Sequence, residues 1–180
     1  RSEMSVVIVT GSAGYIGGQT ALLLKDAGHE VYGIDRRDPP KHLQGVCDKF
    51  LRQDFASDVA LSWIIGKQPN AIVHCAGTSL VGPSLQDPAE YYNNNVVKTL
   101  KLLDLVRRSL PRCRIVFSSS AATYGEPVLG SCNEVDPGIP VSPYGESKLM
   151  IDMILESYHR AYDFNYVSFR YFNACGADPQ

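Results

Sequence analysis

Tyr144 and Lys148 stand four positions apart in Ser142-Pro143-Tyr144-Gly145-Glu146-Ser147-Lys148, where a helical pattern begins. At that spacing both side chains lie on one helical face, about one turn apart. An ammonium beside a phenol favours the phenolate. It lowers a pKa that is ordinarily about 10 toward the working range of a general base. Upstream, Ser118-Ser119-Ser120 is the polar end of the apolar run Ile115-Val116-Phe117. Ligands of open α/β sheets bind at the carboxyl ends of strands, so a hydroxyl there is well placed to touch one. Tyr-x-x-x-Lys alone is common, and a serine triplet alone is usually a loop start. Their company makes them specific.

That company is a glycine loop. Gly11-Ser12-Ala13-Gly14-Tyr15-Ile16-Gly17 follows the β-branched run Ser5–Thr10 and opens a helical pattern carrying Ile16, Leu22, Leu23 and Leu24. Gly11 permits a tight turn, Gly14 lets the backbone approach a pyrophosphate, and Gly17 lets the helix pack close to the sheet. Free amides and the helix dipole favour the anion. A second strand, Glu30–Asp35, ends in an acid at the position expected to meet the adenosine ribose hydroxyls. A carboxylate there repels a 2′-phosphate, so the expected cofactor is NAD. Arg36 and Arg37 follow directly and are read as a solvated loop pair.

The elements that must position these residues alternate. Strands are expected near 5–10, 30–35, 48–52, 71–75, 113–118 and 165–170, and helices near 14–27, 56–67, 88–109 and 143–162. Such alternation implies an α/β fold with a parallel sheet, right-handed crossovers and helices on both faces. The stretch from Ser119 to Val141 is irregular and rich in Gly and Pro, and a loop that long in a compact domain is usually functional. With 180 residues, 44% of them hydrophobic, and a net charge of −2, the chain suits one globular domain and gives no electrostatic footprint for nucleic acid. No apolar run approaches the roughly 20 residues that span a bilayer. Cys47, Cys75, Cys113, Cys132 and Cys175 are odd in number and form no Cys-x-x-Cys, so free thiols in a cytoplasmic protein are expected, with no metal site and no disulfides.

These landmarks resemble the extended short-chain dehydrogenase/reductase superfamily, and within it the UDP-glucose (UDP-galactose) 4-epimerases. The resemblance runs from Val6 to Asp178 through TGSAGYIG, HCAG, VGPSLQDPAEYYNNNV, FSSSAATYG, SPYGESKLM and RYFNACGADP. It implies a Rossmann-type doubly wound sheet over residues 4–180, with the family's C-terminal substrate domain largely missing from this chain. It also implies NAD as cofactor, a UDP-hexose substrate and a homodimer at full length. Two alternatives stand beside epimerisation. One is another NAD-dependent nucleotide-sugar enzyme, a decarboxylase or dehydratase; the other is an NAD-binding module without turnover. Dehydratases of this superfamily often carry Asp-Glu after the catalytic Thr, whereas here Ala121-Ala122 follow Ser120.

The resemblance also implies roles. Tyr144 is the base for the sugar 4-hydroxyl, Lys148 lowers its pKa and reaches the nicotinamide ribose, and Ser120 hydrogen-bonds the reacting oxygen. Gly11, Gly14, Tyr15, Ile16 and Gly17 surround the pyrophosphate. Asp54 receives the adenine amino group, with Phe55 beside it; a helix N-cap is its other reading, and the two are not exclusive. Cys75, Ala76, Gly77 and Ser79 line the ribose path, Asn95 and Ser118 order the site, and Phe172 passes the nicotinamide carboxamide. Asn173 meets the substrate. His74 is read as a structural strand residue. Two positions depart from the family pattern: Ser79 stands where many members have Lys, and Pro83 where many have Glu.

Overall fold

The computed structural model describes residues 4–127 and 130–176. Six strands carry the chain: β1 Val6–Thr10, β2 Glu30–Asp35, β3 Lys49–Arg52, β4 Ala71–His74, β5 Arg114–Ser120 and β6 Tyr166–Tyr171. They form one sheet in the order β3-β2-β1-β4-β5-β6, and every pairing is parallel. The register sets Ile8 beside Ile72 and Ile72 beside Ile115. Between the strands run α1 Tyr15–Asp26, α2 Asp58–Lys67, α3 Val81–Ser84, α4 Pro88–Tyr91, α5 Lys98–Ser109 and α6 Pro143–Tyr162.

The β-branched strands bury both faces, as parallel sheets require. Ile8, Ile34, Ile72 and Ile115 have no exposed surface, and they pack against Ile64 of α2, Leu102, Leu103 and Val106 of α5, and Ile151 and Leu155 of α6. On the opposite face Val7, Val9, Val31 and Val73 pack against Ala21 and Leu24 of α1. The helices that matter most start at local signals. Ser57 caps α2 by accepting from Ala60 N (3.2 Å). Ser142 caps α6 by accepting from Gly145 N (3.2 Å), with Pro143 in the first turn.

The strand order reverses direction at β1, whose neighbours are β2 and β4. A crevice opens at such a switch point, outside the carboxyl ends of the strands. Thr10, Asp35, His74 and Ser120 all end their strands on that side.

Three features differ from the sequence expectation. β5 runs on to Ser120, so the serine triplet belongs to the strand, and a 3-10 turn at Ala121–Thr123 follows. A short α3 begins at Val81. The helix expected over 88–109 is interrupted by a π-helical turn at Tyr92–Val97. That turn contains Asn93-Asn94-Asn95, poor helix formers, and the amides of Asn94 and Asn95 hydrogen-bond to Thr78. Among the described residues no helix is long and apolar enough to cross a membrane. The five cysteines are free.

Candidate active site

An open cleft of about 840 Å³ lies over the switch point, within the range of small-molecule sites. The glycine loop forms its floor. Gly11 has φ +71°, a conformation glycine adopts at no steric cost, and donates its N–H to Ile34 O (2.8 Å). A Cβ on Gly11 would stand 2.8 Å from Ala76 N, and one on Gly17 would overlap Gly11 O. The loop is thus folded so that only backbone separates the end of β1, the start of α1 and the end of β4. Gly14, at the N-cap of α1, provides no side-chain cap, so the first-turn amides keep no side-chain partner from it.

Asp35 ties this loop to β2. Its Oδ2 accepts from Ala13 N (3.1 Å) and its Oδ1 from Arg37 N (2.9 Å). Arg37 Nε lies 3.8 Å from Oδ1, with the Arg37 side chain 74% exposed, which suits a solvated arginine rather than a buried phosphate ligand. Beyond β3, Asp54 Oδ1 accepts from Ala56 N (3.0 Å) in a local turn, while Ser57 is the N-cap of α2. The alternative reading of Asp54 as that cap is therefore corrected. Asp54 Oδ2 accepts from Lys98 Nζ (2.6 Å), and Lys98 also donates to Asn94 Oδ1 (2.8 Å). Burial pushes the Asp54 carboxyl up, but the Lys98 ammonium and the Ala56 amide outweigh it and hold it below the usual carboxylate range.

His74 is a strut. Its Nδ1 lies 2.7 Å from Thr10 Oγ1 and its Nε2 2.9 Å from Thr99 Oγ1, so one ring joins β1, β4 and α5. Phe55 meets the ring edge-on at 4.7 Å. Burial, with a smaller contribution from the Lys148 charge, pushes its pKa down to about 3, so the imidazole is neutral at pH 7. It therefore acts as the structural residue its place in the strand suggests.

At the other end stand the residues with acid–base chemistry. Lys148 is 6% exposed and donates to Ser118 O (2.8 Å). Its ammonium lies 4.9 Å from the Phe117 ring centre and 5.9 Å from that of Tyr144. Burial pushes the Lys148 pKa down to about 8. Tyr144 is half-buried, with Tyr91 edge-on to it at 6.4 Å. Ser120 Oγ accepts from Ala122 N (3.1 Å), capping the 3-10 turn. A Cβ on Gly145 would overlap Ala122 O, so the first turn of α6, which carries Tyr144, sits directly on that turn.

Asn95 joins the two ends. Its Oδ1 accepts from Thr78 N (2.8 Å), and its Nδ2 donates to Thr78 O and Ser147 Oγ (both 3.0 Å). It clamps the turn after β4 to α6. A Cβ on Gly77 would stand 2.8 Å from Asn95 Oδ1 and 3.8 Å from Lys148 Nζ, which puts Lys148 just behind the cleft wall. Ser118 Oγ donates to Cys75 Sγ (3.2 Å).

The structure thus gathers most of the sequence-predicted residues. Gly11, Gly14, Tyr15, Ile16, Gly17, Asp35, Asp54, Phe55, Cys75, Ala76, Gly77 and Ser79 line the cleft. Asn95, Ser118, Tyr144 and Lys148 support its far end without lining it, and Phe172 and Asn173 are exposed beyond β6. Thr78, inside the run from Cys75 to Ser79 expected on the ribose path, lines it too, while sequence reasoning missed Asn94 and Lys98. Asn94 and Lys98 are four apart, a spacing that faces one way on a helix, but no motif draws attention to them. It also missed Asp152, which accepts from Ser119 Oγ (2.9 Å), Ser168 Oγ (2.6 Å) and Arg170 Nε (3.3 Å), one helical turn beyond Lys148.

Comparison with known proteins agrees with this fold. The family model described as "NAD dependent epimerase/dehydratase family" matches residues 7–180. A UDP-glucose 4-epimerase of Halalkalibacterium halodurans is 43% identical over 175 residues, covering 96% of this chain and 52% of that protein. A probable UDP-arabinose 4-epimerase of Arabidopsis thaliana is 36% identical, with 47% of its length covered. Among solved structures, UDP-glucose 4-epimerase from Brucella ovis in complex with NAD superposes with a TM-score of 0.89 at 38% identity, over 97% of this chain and 54% of that one. The chain therefore spans about half the length of the relatives it matches. On the family match and these identities together, the chain belongs to the NAD dependent epimerase/dehydratase family.

Proposed function

We propose that residues 4–180 form the NAD-binding domain of a nucleotide-sugar 4-epimerase, which interconverts UDP-glucose and UDP-galactose through a 4-keto sugar. One observation carries the reading: a tyrosine and a buried lysine on one helix face abut the end of β5, beside a cleft floored by glycine backbone. The cleft residues fit a dinucleotide. Gly11 and Gly17 leave no room for a side chain where the loop closes, and α1 offers its N-terminal amides to an anion.

The loop from Gly11 to Gly17 would hold the pyrophosphate, Asp35 the adenosine ribose, and Asp54 and Phe55 the adenine. Cys75, Ala76, Gly77 and Ser79 would border the nicotinamide ribose, with Asn95 and Ser118 ordering that wall and Phe172 beside the carboxamide. NAD, when bound, supplies the acceptor and then the donor of the C4 hydride. Tyr144 takes the proton of the sugar 4-hydroxyl and later returns it. Ser120 hydrogen-bonds the same oxygen. Lys148 keeps a positive charge near the phenol, because a pKa of about 8 leaves it mostly protonated at pH 7. Asn173 meets the substrate. Ala121 and Ala122 provide no carboxylate beside Ser120 for elimination of water. A cytoplasmic homodimer completes the reading. It is supported by free thiols and by apolar side chains exposed on α5 and α6, such as Leu100 and Met153.

The deciding experiment is product identification. The protein at its full natural length is incubated with UDP-glucose and NAD, and the nucleotide sugars are separated. UDP-galactose approaching equilibrium supports the proposal. A 4-keto-6-deoxy sugar from UDP-glucose, or a pentose product with loss of CO2 when UDP-glucuronate is offered in its place, replaces it with a related chemistry, and NAD binding without turnover leaves only a binding module.

A further inference from the structure

Lys98 opens α5 and lines the same cleft as Asp35 and Asp54. It donates to Asp54 Oδ2 at 2.6 Å and to Asn94 Oδ1 at 2.8 Å. The other Asp54 oxygen accepts from Ala56 N at 3.0 Å. Both oxygens are therefore held and the plane of the carboxylate is fixed. The side chains of Lys98 and Asp54 remain 22% and 27% exposed, so neither is sealed off from a ligand. The sheet order locates this pair relative to Asp35. β3 lies outside β2, so a group extending past a ribose at Asp35 next meets Gln53, Asp54 and Phe55.

We propose that Lys98 is a positioning residue for base recognition: by holding the Asp54 carboxylate as a fixed acceptor, it makes this end of the cleft select a purine with an exocyclic amino group over one with an exocyclic oxygen. The inference rests on the reading that NAD occupies the cleft with its adenosine end at Asp35. An ionised carboxylate accepts hydrogen bonds and donates none. It pairs with an amino group and repels a carbonyl oxygen. Without the ammonium only Ala56 N still holds the carboxylate, through one oxygen, so its plane is free to turn away from an amino group. Selectivity then falls even where overall binding survives.

Calorimetry on the purified chain with NAD and with nicotinamide hypoxanthine dinucleotide, which carries oxygen in place of the adenine amino group, tests this. The unaltered protein is expected to prefer NAD by about ten- to a hundredfold, the worth of one hydrogen bond to a charged group. Lys98→Gln is expected to narrow that ratio to within about threefold, and Lys98→Arg to preserve most of it. If Lys98→Gln weakens both dinucleotides alike and leaves the ratio unchanged, Lys98 merely props the cleft wall and the inference is overturned. Lys98→Met keeps most of the stem and removes only the ammonium from Asp54, so it decides the matter if Lys98→Gln does not fold. A collapsed ratio with NAD still bound supports the inference, and a retained ratio overturns it. A ratio near one in the unaltered protein also overturns it while leaving the NAD reading intact, whereas absence of any NAD binding overturns that reading first.

Discussion

Lys148 carries an ammonium into a site where it is 6% exposed and hydrogen-bonded to the Ser118 carbonyl. A buried ammonium carries a desolvation cost that an apolar side chain of similar length avoids, which offsets the hydrogen bond lost to the Ser118 carbonyl. Lys148→Met is therefore expected to leave the thermal midpoint unchanged or raised while suppressing turnover at full natural length. A large loss of stability on calorimetry would show that the lysine is a structural strut. Tyr144→Phe separates chemistry from packing in the opposite way. It keeps the ring against Tyr91 and removes only the oxygen, so NAD affinity should persist while turnover falls about 10²–10⁴-fold. Wild-type turnover in that variant would sink the assignment of the base. Asp35→Ala should narrow the preference for NAD over NADP, as read by calorimetry with both dinucleotides. It should also loosen the loop, because Asp35 accepts from Ala13 N. Equal affinities for both dinucleotides in the unaltered protein would count against the carboxylate as the selector.

At the level of elements, the turn after β4 depends on one amide. Asn95 accepts from the Thr78 N–H and donates to the Thr78 carbonyl, holding that turn against α6 through Ser147. Asn95→Ala should raise amide exchange at Thr78 and Ser79 far more than in the sheet, as followed by hydrogen–deuterium exchange. Uniform change, or none, would refute the clamp. The strands and α6 were legible in the sequence because their signals are local. β-branched runs end in glycine or acid, and Ser142-Pro143 marks a helix start. The glycine loop, Asp35, Tyr144 and Lys148 were legible for the same reason. The π-helical turn was not, because it arises from hydrogen bonds between Asn94, Asn95 and Thr78 across 16 and 17 residues. Lys98 was missed on similar grounds: its partner Asp54 lies 44 residues away. The 3-10 turn after Ser120 is capped locally by Ser120 Oγ, but its close contact with α6 at Gly145 is one that no local pattern reports.

Across the whole molecule, His74 couples stability to pH. Its folded pKa of about 3 lies below the ordinary value of 6.5, so the stability it contributes is present above pH 6.5 and is lost as the pH falls toward 3. Between pH 6.5 and 5, above the main carboxylate range, denaturant unfolding should show a slope of at most ~1.4 kcal/mol per pH unit from this proton. His74→Gln should be less stable at pH 7.5 yet show a shallower slope, and an identical slope in both proteins would rule out His74 as the source. The hydrogen bond from this ring to Thr10 spans 64 residues of chain. That distance has a consequence for biosynthesis. β1 can pair with β2 soon after both are made, but its other edge has no partner until β4 emerges. Through that interval a strand of Val, Ile and Thr presents open backbone groups, the kind of surface that invites pairing with another nascent chain. The floor of the cleft cannot close sooner either, since Gly11 is shaped by its approach to Ala76. Competence to take up a dinucleotide thus waits for β4, well after the glycine loop itself has been made.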